Sequence, residues 1–181
     1  LREPNVLYAG KLVNLGVKDI AKNNMLNRNI FNFIIVFVIF IIDRLSKIII
    51  INLAEPTDEL NISITSFLDL NLIWNDGVAF GLFSFDKNHY YHFLTIIILI
   101  ITLIIVWLML RSKNLEKLCF SMIIGGALGN LFDRIYYSAV PDFIDIHINN
   151  FHWFIFNVAD IFISLGVILL ILLEIFSKKK L

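Results

Sequence analysis

Residues 96–110 read Ile-Ile-Ile-Leu-Ile-Ile-Thr-Leu-Ile-Ile-Val-Trp-Leu-Met-Leu, and residues 161–173 form a second apolar run without a charge. A helix half exposed to water repeats its apolar residues every three to four positions, whereas these runs are apolar on every side. A helix of about 20 such residues, at ~1.5 Å per residue, crosses the ~30 Å hydrocarbon core of a bilayer. The two runs therefore predict membrane-spanning helices.

The composition of the whole chain agrees with this interpretation. Of its 181 residues, 59% are hydrophobic and 17% are charged, and 15 basic residues balance 15 acidic ones. Such a chain has ample apolar surface to bury, which excludes a disordered protein. Four apolar blocks of about 20 residues predict an all-α membrane protein, a bundle of four transmembrane helices. We place the spans at residues 31–53, 90–110, 118–137 and 154–176.

The spans define one domain, residues 30–177, between a polar N-terminal extension, residues 1–29, and a basic tail, residues 178–181. Arg28 precedes the first span as in a secretory signal, but no cleavage site of small residues follows, so we expect an uncleaved span. The single cysteine, Cys119, excludes an internal disulfide bond and a thiolate metal cage. We expect it to pack in the interior.

Basic residues are concentrated in alternate connections of the chain. Residues 1–30 carry five Lys or Arg against two acids, the turn 111–117 carries three against one, and the tail carries three Lys. The other two connections are acidic. Because Lys and Arg are retained on the cytoplasmic side, both termini and the middle turn are predicted to face the cytosol. The two acidic connections are predicted to face outward.

Two outward segments alternate between apolar and polar residues. Between residues 61 and 74 the apolar side chains occupy mostly even positions, and Ile144, Ile146 and Ile148 alternate with polar neighbours in the same way. A period of two is typical of strands with one apolar face. We therefore expect a small extracytoplasmic β-element at the outer end of the bundle.

Ionisable side chains inside an apolar span are costly and usually functional. In the first span, Asp43 and Lys47 are four residues apart and share a helix face, with Arg44 beside them. Pairing of opposite charges inside the bundle explains such residues at least as well as direct chemistry does. The sequence therefore predicts a supporting role for Asp43.

The third span combines small and polar residues on one face. Gly125 and Gly129 are four residues apart, which is typical of a close-packing groove between helices. The same face continues into a polar stripe of Asn130, Asp133 and Arg134. For Asp133, as for Asp43, we expect internal charge pairing, here with Arg134, rather than direct chemistry.

Two further acids fall near the outer end of the bundle. The third span runs outward and the fourth runs inward, so Asp142 lies in the connection between them. Asp160 shares a helix face with Asn157 and lies about 9 Å below the predicted outer start of the fourth span, at ~1.5 Å per residue. Asp142 alone would more often be an ordinary turn residue, but Asp160 needs a partner inside an apolar helix.

A pair of carboxylates in a poorly solvated site is the working unit of an aspartic protease. Like charges in a low dielectric cannot both ionise, so the pair holds one proton. The ionised member can take a proton from a water that attacks a carbonyl carbon, and the protonated member can donate to the carbonyl oxygen.

Five blocks, in this order along the chain, resemble the lipoprotein signal peptidases (signal peptidase II), integral aspartic proteases of bacterial membranes. They are Asp-Arg-Leu-Ser-Lys at 43–47, Asn-Asp-Gly-Val-Ala-Phe-Gly at 75–81, the Gly-rich block at 125–134, Pro-Asp-Phe-Ile-Asp at 141–145 and Phe-Asn-Val-Ala-Asp at 156–160. The resemblance covers residues 31–176. The family commonly has Gln where Arg44 stands, and the leader of 29 residues is longer than we expect.

The resemblance implies a role for each matching residue. It implies a catalytic dyad of Asp142 and Asp160. The implied substrate-binding residues are Asn75, Gly77, Asn130, Arg134 and Asn157. The implied supporting residues are Asp43, Lys47, Gly126, Gly129 and Asp133.

The resemblance also implies a substrate, a prolipoprotein with diacylglycerol on its lipobox cysteine. Cleavage would occur on the amino side of that cysteine, at the outer face of the bacterial cytoplasmic (inner) membrane. We expect membrane lipid as a partner, no cofactor, no metal, no nucleic acid and a monomer.

Other interpretations remain open on the sequence alone. Asn75-Asp76-Gly77 suits a simple turn as well as a substrate loop. The four His residues lack the spacing of a zinc hydrolase and fit an interfacial aromatic belt. A small transporter could use Asp43, Asp133 and Asp160 as a proton relay, but polar residues would then be expected through the whole thickness of the bundle. A lipid-binding scaffold without catalysis would tolerate the loss of either dyad Asp.

Overall fold

The structure is a computed structural model that describes residues 6–55, 60–77, 88–149 and 151–178. Four helices and four strands follow one another as α1 Val6–Ala54, β1 Asn61–Thr65, β2 Leu68–Asn75, α2 Asn88–Arg111, α3 Asn114–Tyr136, β3 Val140–Ile148, β4 Phe151–Phe156 and α4 Val158–Lys178. The chain divides into two units, Leu1–Ile34 and Ile35–Leu181. The first contains the N-terminal part of α1, and the second contains the rest of α1 and every later element.

Three helices in the described part of the chain are long and apolar enough to cross a bilayer. They are Tyr91–Arg111, Asn114–Tyr136 and Val158–Ser177. Large apolar side chains on α2 and α4, such as Leu103 and Ile171, are exposed in the fold, as expected of helices that face lipid. The structure thus confirms a mostly helical chain with a small sheet, and the described residues contain three candidate membrane spans.

Helix α1 is longer than the predicted first span. It begins at Val6, whereas we expected the span to begin at residue 31 after a polar extension. No proline follows Pro4 before Pro56, so nothing in this stretch breaks a helix. The polar residues 6–29 therefore precede the apolar block but belong to the same helix.

The four strands form one antiparallel sheet in the order β1-β2-β3-β4. Strands β1, β2 and β3 confirm the two alternating segments seen in the sequence. Strand β4 was not predicted, because its apolar residues were assigned to the fourth span from residue 154 onward. That start was wrong: the aromatic and β-branched residues of β4 favour a strand, and α4 begins only at Val158.

A small hydrophobic core joins this sheet to the C-terminal end of α1. Ile50 and Ala54 of α1 pack with Leu60, Leu72 of β2 and Phe143 of β3. Phe143 follows Asp142 directly and is 4% exposed. Since side chains alternate along a strand, anchoring Phe143 in the core turns Asp142 to the opposite face.

Glycines in α3 allow close approach of the neighbouring helices. A Cβ added at Gly125 would lie 2.8 Å from the Cβ of Ile39 in α1. A Cβ at Gly126 would collide with the carbonyl oxygen of Ala159 in α4, and one at Gly129 would collide with the carboxylate of Asp43. The predicted close-packing groove of Gly125 and Gly129 is therefore present and faces α1, whereas Gly126 faces α4.

We expect Gly126→Ala to weaken the packing of α3 on α4, because the colliding atom is a backbone oxygen that cannot rotate away. The free energy of unfolding should fall by about 1–3 kcal/mol, the usual cost of overpacking a tight site. Thermal unfolding in detergent micelles measures this loss. Ile135→Ala, on the exposed side of the same helix, is the control and should unfold near the wild-type temperature. Equal melting temperatures for the glycine variant and the wild type would contradict the close contact.

Candidate active site

Two aspartates meet where the β3–β4 hairpin joins α4. Asp142 lies in β3, across from Ile73 of β2, and Asp160 lies in the first turn of α4. Asp160 is therefore nearer the end of its helix than the predicted 9 Å, because the helix begins later than expected. Both aspartates line one cavity of about 150 Å³, together with Phe154, Ile155, Phe156, Ile163 and Ser164. The cavity walls are thus largely apolar, with two carboxylates among them.

Asn157, the residue before α4, connects the two carboxylates. Its Nδ2 donates to Asp142 Oδ1 at 2.6 Å, and its backbone N–H donates to Asp160 Oδ2 at 3.2 Å. The backbone N–H of Asp160 donates in turn to Asn157 Oδ1 at 3.1 Å. This reciprocal pair has the arrangement of a helix capping box, with Asn at the N-cap and Asp in place of the usual Glu. The cap of α4 thereby fixes Asp160 relative to Asp142.

The turn after β2 contributes a second donor to Asp142. Asn75 Nδ2 donates to Asp142 Oδ2 at 2.8 Å, while Asn75 Oδ1 accepts from the backbone N–H of Gly77 at 3.0 Å. Arg134 Nη2 donates to the carbonyl oxygen of Gly77 at 2.8 Å and so holds this turn against α3. Residues 75–77 therefore form a turn and also contact the candidate site. Residues 78–81 of the same sequence block lie outside the described residues.

Asn130 of α3 contacts Asp160 from the opposite side. Its Nδ2 donates to Asp160 Oδ1 at 2.8 Å, and its Oδ1 accepts from Lys47 Nζ of α1 at 2.8 Å. Each oxygen of Asp160 therefore accepts a hydrogen bond, one from α3 and one from the cap of α4.

A buried cluster of two acids and two bases lies beyond Asn130. Lys47 Nζ donates to Asp43 Oδ2 at 3.0 Å and to Asp133 Oδ2 at 2.6 Å. Arg44 also pairs with both carboxylates, and its guanidinium lies 4.9 Å from the centre of the Phe132 ring. The expected pairing of Asp133 with Arg134 is thus replaced by pairing with Lys47 and Arg44. Adjacent residues on a helix point in different directions, so Asp133 faces α1 and Arg134 faces the turn at Gly77.

Asp43 also reaches the start of α4. Its Oδ1 accepts from the backbone N–H of Ala159 at 2.9 Å, and the side chain is fully buried. The first N–H groups of a helix have no partner within the helix, so this bond supplies one. Asp43 therefore supports the site through the helix that carries Asp160.

The surroundings of Asp142 alter its acidity. Burial, and then the charge of Asp160, raise the pKa of Asp142 from 3.8 to about 6, against hydrogen bonds from Asn75 and Asn157 and the charge of Lys47 that lower it. A carboxyl group with such a pKa can hold a proton near neutral pH and donate it during a reaction. The geometry therefore suits general acid and base chemistry between two carboxylates.

Comparisons with known proteins identify the family of this chain. A family model described as signal peptidase (SPase) II matches residues 35–176. The chain belongs to the signal peptidase II family. As a member of that family it is a peptidase, and thus a hydrolase.

Relatives of this signal peptidase II member come from several bacteria. The lipoprotein signal peptidase of Pelagibacter ubique is 52% identical over 149 residues, which cover 82% of this chain and 90% of that protein. The lipoprotein signal peptidase of Francisella tularensis subsp. novicida is 37% identical over 161 residues, 87% of this chain and 99% of that one.

Two solved structures described as bacterial membrane enzymes are similar to this signal peptidase II member. One has a TM-score of 0.67 at 28% identity and covers 82% of this chain and 90% of its own. The other has a TM-score of 0.65 at 32% identity, and the match covers 79% of this chain and 91% of that one.

Some residues near the site were not singled out in the sequence. Phe154 and Phe156 line the cavity although they were assigned to a transmembrane span. The usable signal was the aromatic-rich segment that ends at Asn157, a favourable N-cap residue. Asp145 is 1% exposed and pairs with His152 Nδ1 at 2.8 Å, away from the cavity lining. The histidine therefore contacts a carboxylate in the sheet, and its place in an interfacial belt stays a prediction.

Proposed function

We propose that this chain is an aspartic endopeptidase that removes signal peptides from prolipoproteins carrying diacylglycerol on the lipobox cysteine. Cleavage takes place on the amino side of that cysteine, with Asp142 and Asp160 as the catalytic dyad. This proposal rests on one observation: both carboxylates line the same cavity, whose apolar walls include Phe154, Phe156 and Ile163. Such walls suit a substrate that keeps its lipid and its signal helix in the bilayer.

The dyad would act by general acid and base catalysis. The ionised carboxylate takes a proton from a water molecule as its oxygen attacks the scissile carbonyl carbon, and the protonated carboxyl donates to the carbonyl oxygen. The tetrahedral intermediate collapses when the C–N bond breaks and the leaving amine takes a proton from the dyad. No covalent intermediate with the enzyme is formed.

Five residues are proposed to line the substrate cleft around the dyad, namely Asn75, Gly77, Asn130, Arg134 and Asn157. Each of the three asparagines donates to a dyad carboxylate. Arg134 holds the carbonyl oxygen of Gly77 and so keeps the turn of Asn75 in place. The remaining family residues, Asp43, Lys47, Gly126, Gly129 and Asp133, are proposed to support the site.

The proposed setting is the bacterial cytoplasmic membrane, with residues 31–53 of α1 as a fourth span. The distribution of Lys and Arg supports both termini in the cytosol and the cavity near the outer face. The chain would act as a monomer in contact with membrane lipid. Labelling of single cysteines introduced at residue 2 and at residue 76, in a Cys119→Ser background, tests the orientation. Only the second should react with an impermeant reagent added from outside.

The substrate proposal is tested with purified protein in lipid vesicles and a synthetic prolipoprotein in two forms, with and without diacylglycerol on its cysteine. We expect only the lipidated form to be cut, and mass spectrometry should find the lipidated cysteine at the new N-terminus. Cleavage at another bond, or equal cleavage of both forms, would refute the assigned substrate.

The pKa of Asp142 predicts how the rate depends on pH. Asp142 loses its proton as pH rises through about 6, and once ionised it cannot donate to the carbonyl oxygen. The value of kcat/KM should therefore fall on the alkaline side of this pH. The decline should reach about tenfold per pH unit once the group is mostly ionised. Initial rates of prolipoprotein cleavage across the acid and neutral range measure it. A constant rate through neutral pH would show that Asp142 does not supply the proton.

A further inference from the structure

Three asparagine amides point their nitrogen atoms at the dyad. Asn75 and Asn157 donate to Asp142, and Asn130 donates to Asp160. An amide side chain can present either its oxygen, which only accepts, or its nitrogen, which only donates. Turning an amide around would place its oxygen against a carboxylate and replace attraction with repulsion. Something must therefore fix the orientation of each amide.

For two of the three amides, a backbone group fixes the orientation. The N–H of Gly77 donates to Asn75 Oδ1, and the N–H of Asp160 donates to Asn157 Oδ1. Asn130 differs, because its oxygen accepts from the ammonium group of Lys47 at 2.8 Å. An ammonium group has only donors, so it can face only the oxygen of the amide. The nitrogen of Asn130 is thereby left to face Asp160.

All three protons of Lys47 have an acceptor in this arrangement. Nζ contacts Asp43 Oδ2 at 3.0 Å, Asp133 Oδ2 at 2.6 Å and Asn130 Oδ1 at 2.8 Å, and the side chain is fully buried. Two of these acceptors are buried carboxylates, one in α1 itself and one in α3. Lys47 thus cannot turn away from Asn130 without losing one of its hydrogen bonds inside the bundle.

We propose that Lys47 is a positioning residue for peptide cleavage, which orients the Asn130 amide so that Asp160 remains the ionised member of the dyad. The inference rests on the proposed function and deepens it. Asp160 accepts from Asn130 on one oxygen and from the backbone N–H of Asn157 on the other, and it lies in the first turn of α4. The N-terminal end of a helix favours an anion. Asp142 also accepts two hydrogen bonds, but it lies in a strand and not at the N-terminal end of a helix. This difference places the shared proton on Asp142, which becomes the acid, and Asp160 becomes the base.

The test compares Lys47→Met with Arg44→Met in the purified enzyme. Arg44 pairs with the same two carboxylates, Asp43 and Asp133, but no hydrogen bond joins it to Asn130 among the described contacts. Both variants remove one positive charge from the same cluster. Only the Lys47 variant removes the donor that orients Asn130.

We expect Lys47→Met to lower kcat/KM about 10- to 100-fold, the value of a hydrogen bond to a charged group. The acid limb of the pH–rate profile should move about one pH unit or more toward higher pH, because Asp160 ionises less readily without its donor. Arg44→Met should lower the melting temperature and leave the acid limb in place. Lys47→Gln removes the charge but keeps an N–H donor for Asn130 Oδ1, so its acid limb should stay near the wild-type position. A shift as large as that of Lys47→Met would mean that the charge of Lys47, and not its hydrogen bond to Asn130, acts on Asp160.

An unmoved acid limb in Lys47→Met would overturn the inference, as would an equal shift in Arg44→Met. An equal shift would mean that the charge of the cluster acts, and not the contact with Asn130. These results are distinct from failure of the proposed function. In that case Asp142→Asn or Asp160→Asn would still cleave the prolipoprotein, whatever Lys47 does.

Discussion

We expect Asp142→Asn and Asp160→Asn each to reduce prolipoprotein cleavage by about 10²- to 10⁴-fold, the contribution of a positioned general acid or base. Asparagine keeps the size of the side chain but neither takes a proton from water nor donates one to a carbonyl oxygen as a carboxyl group does. The proposed reaction needs both functions. Either substitution alone should therefore remove most of the cleavage activity.

The loss should occur without loss of the folded protein. Both variants should remain in the membrane at normal levels, because the amide oxygen still accepts one of the two hydrogen bonds at each position and the apolar helices are unchanged. Glu116→Gln, an exposed acid in the first turn of α3, is the matched charge-removing control and should cleave at the wild-type rate. The readout is the mobility shift of a processed lipoprotein on a gel, together with initial rates for the purified enzyme. Full processing by either aspartate variant would refute the dyad.

The second large effect is expected at Asn157. Asn157→Ala removes the Nδ2 donor to Asp142 and the cap of α4 together. Loss of an N-cap costs about 1 kcal/mol of stability. Asp142 becomes charged as it gives up its proton, so loss of a donor to it adds about 1.5–3 kcal/mol in that step. We therefore expect both a lower melting temperature and a kcat/KM reduced by about 10- to 100-fold.

Asn157→Ser separates these two effects. Serine is a favourable N-cap residue, so its hydroxyl can still accept from the N–H of Asp160, but it is too short to replace the amide nitrogen at Asp142. The serine variant should melt near the wild-type temperature and still lose most of the activity. Recovery of activity together with stability would show that Asn157 acts only as a helix cap.

Much of the fold follows from local pattern. Residues 96–110 and 161–173 predict their helices because an uncharged run of this length has no stable place in water. The alternation in residues 61–74 predicts strands, since side chains at successive positions face opposite sides of a sheet. The start of α4 was missed because only Asn157 separates the apolar residues of β4 from those of α4. Hydrophobicity alone does not distinguish a buried strand from a helix.

The sequence by itself determined the membrane-embedded class of the protein and the residues of the candidate site. Apolar length and the order of five short blocks are properties of the chain, independent of its folding. Only the tertiary structure decided which partner each charged side chain takes. Asp133 lies beside Arg134 in sequence but pairs with Lys47 and Arg44, because neighbouring residues on a helix face different directions.

The tertiary structure likewise decided how the two candidate aspartates meet. Asp142 reaches the cavity because Phe143 is anchored in the core and strands alternate their side chains. Asp160 reaches it because Asn157 ends β4 and caps α4 in one step. The cap is local in the chain, but the core contacts of Phe143 join residues far apart, and no local pattern encodes such packing. In the fold, Lys47 and Arg44 pair with Asp43 and Asp133 inside the bundle. Asp142 and Asp160 instead face the cavity.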